Sequence, residues 1–390
     1  MSMLGRVLFL LLVLILTLFM LINPRETIAA AMDGIKLWAS VLLPALLPFF
    51  ISAELIISSG LAVFIGVLLE PVMRPLFRLP GCCSLVVAMG FTSGFPVGAI
   101  MTRRLYEEKM IEADQAERLV SFTNNSSPLF IIGAVGVGML SSPLFGYILA
   151  LSHYLSNLLL GLLWRFRASS DTALKSPEGI WKRAWNSLKS YPSPGPGKML
   201  GDAIKNSLNN ILAIAGFVVF FSLLTRMLSV TGIMENLAQA LSRLLPALTY
   251  NMAYALLTGF FEITLGTKCA AAGIEEKILP QLLIISIILA FSGCSIIAQV
   301  MSTVAGLPIR LSFYLLARLV QIGLSVLFTW LAYHCLASEP VLFTSSIPLG
   351  KLLYSFDAWS LALYSLAGGL TVLTLTAVLS LLVNLKNRLS

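Results

Sequence analysis

The stretch FTNNSSPLFIIGAVG, Phe122 to Gly136, sets five polar residues and a proline against a run that otherwise reads as membrane. Thr123 to Ser127 must shed water to enter lipid, and Pro128 removes a helix hydrogen bond. The rest of the chain decides whether this is a loop or an interruption inside a membrane segment. Of its 390 residues 58% are hydrophobic and 11% charged, with a mean hydropathy of +0.91. Long apolar runs recur from end to end, without the short alternating segments of a barrel, so the expected fold is an all-α polytopic membrane protein.

The net charge of +8 lies in short loops and at segment ends, where orientation and lipid headgroups explain it. No basic module of suitable length exists, so nucleic acid is not an expected partner. The five cysteines lack metal-ligand spacing, and Cys82 and Cys83 read as small packing residues. No phosphate-binding loop and no catalytic or metal-ligand cluster emerges, which argues against an ATP-driven pump, an enzyme and a bound cofactor. A coupling ion, Na⁺ or H⁺, stays open.

Membrane segments are expected near 6–23, 37–58, 60–76, 81–101, 119–139, 143–164, 204–225, 232–248, 250–270, 281–303, 311–336 and 358–385. Two of them, 60–76 and 232–248, fall short of the roughly 20 residues a simple span needs. The run Val7 to Ile22 is longer than a signal-peptide core and reads as a retained helix, with cleavage near Ala29 to Ala31 the alternative. The only long polar insertion, 165–198, carries seven Lys and Arg, and the positive-inside rule puts it and both termini in the cytoplasm.

A shift of 169 residues lays Gly90-Phe91 on Gly259-Phe260, Arg74 on Arg243, Phe122-Thr123 on Phe291-Ser292 and Ser126 on Ser295. With a one-residue gap, Gly98 falls on Gly266 and EEKMI at Glu107 on EEKIL at Glu275. The ordered matches point to an internal duplication. An odd number of segments between the repeat starts makes the repeats inverted, and inverted repeats with broken or re-entrant hairpins build solute sites near the midplane. The expected organisation is an N-terminal helix and connector (1–36), a first repeat (37–164), a basic loop (165–203), a second repeat (204–337), and an outer loop with a last helix (338–390).

Each repeat has two unusual stretches. In the first, GFTSGFPVGA holds Thr92 and Ser93, and FTNNSSPLF holds Thr123, Asn124, Asn125, Ser126 and Ser127. In the second, GFFEITLGTKC holds Glu262 and Thr264, and FSGCSIIAQ holds Ser292, Ser295 and Gln299. Irregular backbone at membrane depth survives only where protein or a wet cavity satisfies it, so these twelve residues are the candidates for binding a small polar solute or an ion. Adjacent carboxamides at Asn124 and Asn125 favour a lined cavity over simple helix adhesion. Glu262 is the sharpest single residue, because a carboxylate in an apolar segment is costly; pairing with Lys268 or snorkelling is its bland alternative. Glu54 divides evenly between site and segment end. For Gly94, Gly98, Gly133, Gly136 and Gly138 close packing is favoured. His153 and His334 read as packing or hydrogen-bonded residues, Arg310 as a boundary residue, and Arg318 as paired or snorkelled. The charged run Arg103 to Leu119 reads as a solvated helical connector.

At SGFPVGAIMTRRLYEE, ERLVSFTNNSSPLFIIGAVGVGML, GFFEITLGTKC and SGCSIIAQVMS the chain resembles the YlbJ family of sporulation integral membrane proteins of endospore-forming Firmicutes. That family commonly reads Asn-Asn-Ser-Gly-Pro where Ser127 stands here. It falls in the nucleoside-recognition, or Gate, group with parts of concentrative nucleoside transporters and FeoB. The resemblance implies a multi-pass protein of the mother-cell or forespore membrane, needed in sporulation and associated with cortex formation. It also implies hairpin tips at Asn124 to Pro128 and Ser292 to Ser295, with Glu262 preceding the second. The Gln-Thr-Glu tip of the nucleoside carriers is absent, so a nucleoside substrate does not follow. A secondary carrier working by alternating access is the leading expectation; a non-transporting scaffold or receptor for cortex-assembly partners is the alternative, and a homo-oligomer stays open.

Overall fold

A computed structural model describes residues 3–167, 179–192, 194–273 and 278–336, and every regular element among them is helical. The first half contains α1 (Met3–Ile22), α2 (Pro24–Leu37), a π-helical turn (Trp38–Leu42), α3 (Leu43–Ser58), α4 (Leu61–Phe77), α5 (Cys83–Thr92), α6 (Val97–Glu107), α7 (Ala113–Thr123), a π-helical segment (Leu129–Met139) and α8 (Pro143–Trp164). Then follow α9 (Ile180–Ser190), α10 (Pro196–Val230), α11 (Ile233–Leu244), α12 (Tyr250–Phe261), α13 (Ile263–Gly273), α14 (Ile278–Phe291), α15 (Gly293–Thr303) and α16 (Leu311–Leu336). Glu275 to Lys277, the outer loop and the last expected segment lie outside the described residues.

Five described stretches are long and apolar enough to cross a bilayer: Gly5–Ile22, Pro143–Arg167, Pro196–Val230, Ile278–Thr303 and Leu311–Leu336. The exposed leucines and isoleucines of α1, with Phe9, are what a lipid-facing helix needs. With every regular element among the described residues helical, the chain is an all-α polytopic membrane protein. One core joins α3 to α7; another joins the π-helical segment, α8 and α12 to α14. Between them run α10, packed on α2 and α3, and α16, packed on α8 and α14.

Four interruptions organise this bundle, at Ser93–Pro96, Asn124–Pro128, Glu262 and Ser292. Glu262 lies 169 residues after Ser93, and Ser292 lies 169 after Thr123, so the breaks recur at the spacing of the sequence repeat.

Their roles differ from expectation. The hairpin tips are not at 124–128 and 292–295 but at the earlier break of each half. At Glu262 the chain turns back, so α12 and α13 lie against each other with Gly266 seated on Gly259; a Cβ on Gly266 would stand 2.2 Å from the Gly259 Cα. At Ser93–Pro96 the tip glycine Gly94 has φ +92°, a conformation only glycine takes cheaply. Gly90 and Gly98, four residues to either side, both face the Thr123 carbonyl oxygen. The later breaks instead interrupt through-going segments: α7 packs on α6, α8 and α16, whereas Leu129–Met139 packs on α8 and α13. Ile278–Thr303 is likewise one 26-residue span, broken where Ser292 and Gly293 adopt φ +75° and +78°.

In both halves the interrupted helix docks its break onto the tip of its own hairpin. Thr123 sits between Gly90 and Gly98, and Gly293 sits on the Gly259 and Phe261 carbonyls. The small residues are there because backbone meets backbone.

The run Arg103 to Leu119 is also more than a solvated connector. Arg118 is buried, donating to the Phe77 and Arg78 carbonyls at 3.1 Å each and to Asp114 at 2.9 Å. Glu117 is buried too and takes Arg310 through both carboxylate oxygens at 2.9 and 2.5 Å, tying α7 to the start of α16. Arg310 is thus a partner in an ion pair as well as a boundary residue.

Candidate solute site

Each interruption frees backbone groups that a neighbouring side chain must satisfy. Glu262 is extended, and its Oε2 accepts the Leu265 N–H at 2.7 Å, capping the first turn of α13. No ion pair to Lys268 exists among the described residues; the carboxylate is turned to the helix start. Asn124 works across the hairpin: its Oδ1 accepts the Ala99 N–H at 3.0 Å, capping α6, while its Nδ2 donates to the Val120 carbonyl at 2.8 Å. Ser127 Oγ accepts the Phe130 N–H at 3.2 Å and starts the π-helical segment. Ser126 is held from α8, its N–H donating to His153 Nε2 at 3.3 Å and its carbonyl accepting from the Tyr154 hydroxyl at 2.8 Å. His153 is therefore a buried hydrogen-bonded residue, as its sequence setting implied.

Arg318 completes the set, and sequence reasoning undervalued it. Its side chain is fully buried in α16, not snorkelled, and its guanidinium donates to the Ser121 carbonyl, the Asn124 carbonyl at 3.3 Å and Asn157 Oδ1 at 3.5 Å. Its charge stands 5.1 Å from the Tyr314 ring centre. It gathers the freed carbonyls at the end of α7, a task suited to the five-donor fork of arginine. The readable signal was an arginine within a 26-residue apolar helix.

Around these caps lies a cavity of about 400 Å³. Seven of the twelve candidates line it: Ser93, Ser126, Ser127, Glu262, Thr264, Ser295 and Gln299. The other five stand behind it. Thr92, Thr123 and Ser292 bond back to carbonyls of their own helices. Asn124 and Asn125, expected to line the cavity, are fully buried and line none of the described cavities. Asn124 has both of its side-chain polar atoms engaged within the protein, and Asn125 donates its amide to the Phe122 carbonyl at 3.3 Å while its buried Oδ1 has no protein partner.

The glycines divide as well. Gly98 and Gly136 are closely packed against backbone, whereas Gly133 and Gly138 border the cavity, where a Cβ would meet only the Leu129 side chain at 3.3 Å and the Gly133 carbonyl at 3.5 Å respectively. Apart from Ser40 the remaining wall is apolar, including Phe95, Leu129, Phe130 and Val218. Ser93 Oγ and Ser126 Oγ are buried without a protein partner, and Ser295 Oγ accepts from Gln299 at 3.3 Å. The starts of α13, α15 and the π-helical segment border the same space, each a weakly positive dipole end. Glu262 is the one carboxylate among the lining residues. This arrangement can hold a small solute by hydroxyls, a carboxylate and helix starts at one side and apolar surface at the other.

A family model described as nucleoside recognition (Gate) matches residues 39–150, which include the first hairpin and the Asn124–Pro128 break. The sporulation integral membrane protein YlbJ of Bacillus subtilis (strain 168) is 41% identical over 318 residues, 79% of this chain and 78% of that protein. An uncharacterized protein of Alkalihalophilus pseudofirmus is 32% identical over 112 residues, 28% of this chain and 22% of that protein. No solved structure matches. Identity at this level over most of both chains settles the family: the chain belongs to the YlbJ family of sporulation integral membrane proteins.

Proposed function

We propose that the chain serves sporulation as a secondary carrier, moving a small polar solute across the membrane by alternating access. The supporting observation is that seven polar residues from the four interruptions line one cavity, with the breaks spaced as the sequence repeat is. Such an arrangement is costly unless a ligand uses it. In this reading the two halves are inverted repeats, both termini are cytoplasmic, and a coupling ion, Na⁺ or H⁺, drives the movement. The solute presents acceptor oxygens to Ser93, Ser126 and the helix starts, and apolar surface to Phe95 and Phe130. The role in sporulation follows the name of the B. subtilis relative and family membership.

The test is Glu262→Gln in a B. subtilis strain whose YlbJ is replaced by this chain. A glutamine oxygen can still cap Leu265, so the helix start is kept while the charge is lost. Normal protein abundance with a collapse in heat-resistant spores is the expected outcome. Normal spore yield at normal abundance would remove Glu262 from the site.

A further inference from the structure

A second chamber of about 400 Å³ adjoins the first, and its wall is of different character. Glu54, Arg103, Arg104, Glu107, Asn206 and Asn209 line it, from α3, α6 and α10. Their polar groups are tied across helices: Glu54 Oε2 accepts from Asn206 Nδ2 at 3.3 Å and stands 3.8 Å from Arg104 Nε. Arg103 reaches over to α15 and donates to the Thr303 carbonyl at 2.8 Å. A hollow bordered by four charged side chains inside a bundle of membrane helices is stable only if it is wet.

Two lining residues, Ile214 and Gln299, belong to both chambers. They sit at the same point of two stripes. Along α10, Asn206, Asn209, Asn210, Ala213 and Phe217 line the charged chamber, Ile214 lines both, and Val218 lines the central cavity. Along α15 the order runs the other way: Ser295 and Ile296 face the central cavity, Gln299 both, and Ser302 and Thr303 the charged chamber. The first hairpin repeats the pattern, with Ser93 to Phe95 on the central cavity and Ile100 to Glu107 on the other. Three elements thus pave one route, and the stripes follow the helical spacings of three and four residues.

We infer that the charged chamber is the aqueous vestibule by which the solute reaches the central cavity, and that Ile214 and Gln299 are the gate between them. This deepens the carrier reading and rests on it for its purpose. The buried Ile214 supplies a dry barrier. Gln299, hydrogen-bonded to Ser295 at 3.3 Å, supplies a side chain that can exchange that bond for one to the passing solute. The vestibule lies toward the start of α10, so it opens on the side that carries the basic segment. The 35 residues of α10 span roughly 50 Å, more than the ~30 Å bilayer core, so its first turns extend beyond the lipid core.

Chemical access tests this without a known solute. In full-length protein with the five native cysteines replaced, single substitutions Asn209→Cys, Ser295→Cys and Asn186→Cys are exposed to a membrane-impermeant methanethiosulfonate in vesicles of each orientation. Asn186, exposed on α9, marks the side of the basic segment. Asn209→Cys is expected to react from that same side, and Ser295→Cys to be protected from it. Adding Ile214→Ala or Gln299→Ala should speed reaction at Ser295→Cys roughly tenfold by shifting the balance toward the open gate. Ala213→Trp acts on an exposed vestibule wall residue, so it tests the route without disturbing packing, and should slow Asn209→Cys by a similar factor. No reaction at Asn209→Cys from that side, or rates unmoved by the gate and wall substitutions, would overturn the inference. Because the readout is access and not transport, a carrier reading lost to normal spores in Glu262→Gln leaves this result standing, and the reverse also holds.

Discussion

Gly90→Ala is expected to remove most folded protein from the membrane. The added Cβ would stand 2.2 Å from the Thr123 carbonyl oxygen and 3.1 Å from the Thr123 Cβ. A flexible side-chain end could give way, but this neighbour is backbone at the end of α7, and its surroundings are fixed by Arg318 on Ser121 and Asn124. The substitution therefore forces the first hairpin away from the break it clasps. A cost of about 3 kcal/mol follows from overpacking a site that cannot relax. Thermal unfolding of the detergent-purified protein measures it, with Gly216→Ala as the reference. Gly216 has nothing within 4 Å, and alanine there improves helix propensity, so that variant should match or slightly exceed the parent. Equal stability of the two variants would mean that the hairpin does not seat on Thr123.

Arg318→Leu carries the second large effect. It strips the hydrogen bonds from the Ser121 and Asn124 carbonyls and from Asn157 Oδ1, all in the buried core. An orphaned buried acceptor costs about 1–3 kcal/mol, so losing the fork should cost about 3–5 kcal/mol and lower the melting temperature sharply. Arg318→Lys separates shape from charge: a single ammonium cannot reproduce a planar fork over separate acceptors, so it should remain well below the parent. Full stability in Arg318→Lys would show that the positive charge alone is needed.

Much of this architecture was legible before any coordinates. Apolar runs gave the membrane class, and polar stretches inside them marked all four interruptions. The shift of 169 residues that lays Gly90-Phe91 on Gly259-Phe260 and Phe122-Thr123 on Phe291-Ser292 is also the spacing between the breaks at Ser93 and Glu262. Sequence did not reveal which break reverses the chain. Both kinds of break carry Gly, Ser or Pro, and what decides is whether the flanking helices can touch. The pairs Gly90 with Gly98 and Gly259 with Gly266, straddling the tips, were the available signal.

Among the site residues, Asn124 misled because a carboxamide in an apolar run says that its polarity is used, not what uses it. Here Asn124 spends its amide on the Ala99 N–H and the Val120 carbonyl. Of the seven lining residues that sequence did identify, Ser93, Ser126, Ser127 and Glu262 lie in the breaks themselves, and Thr264, Ser295 and Gln299 lie within the two helical turns that follow one. Arg318 was undervalued because two of its three partners are main-chain carbonyls, which no residue pattern displays.

The central claim is that a solute occupies the cavity among the interruptions, and filling that cavity tests it most directly. Gly133 borders it, and a Cβ there meets only a leucine methyl at 3.3 Å, so Gly133→Phe can place its ring in the open space. Gly216→Phe, on an exposed position of α10, adds the same ring outside the cavity. Heat-resistant spore counts are compared at matched protein abundance in the B. subtilis strain that depends on this chain. The account predicts that Gly133→Phe falls to the level of the strain lacking the protein while Gly216→Phe sporulates as the parent does. Normal spore yield from Gly133→Phe at normal abundance would contradict it.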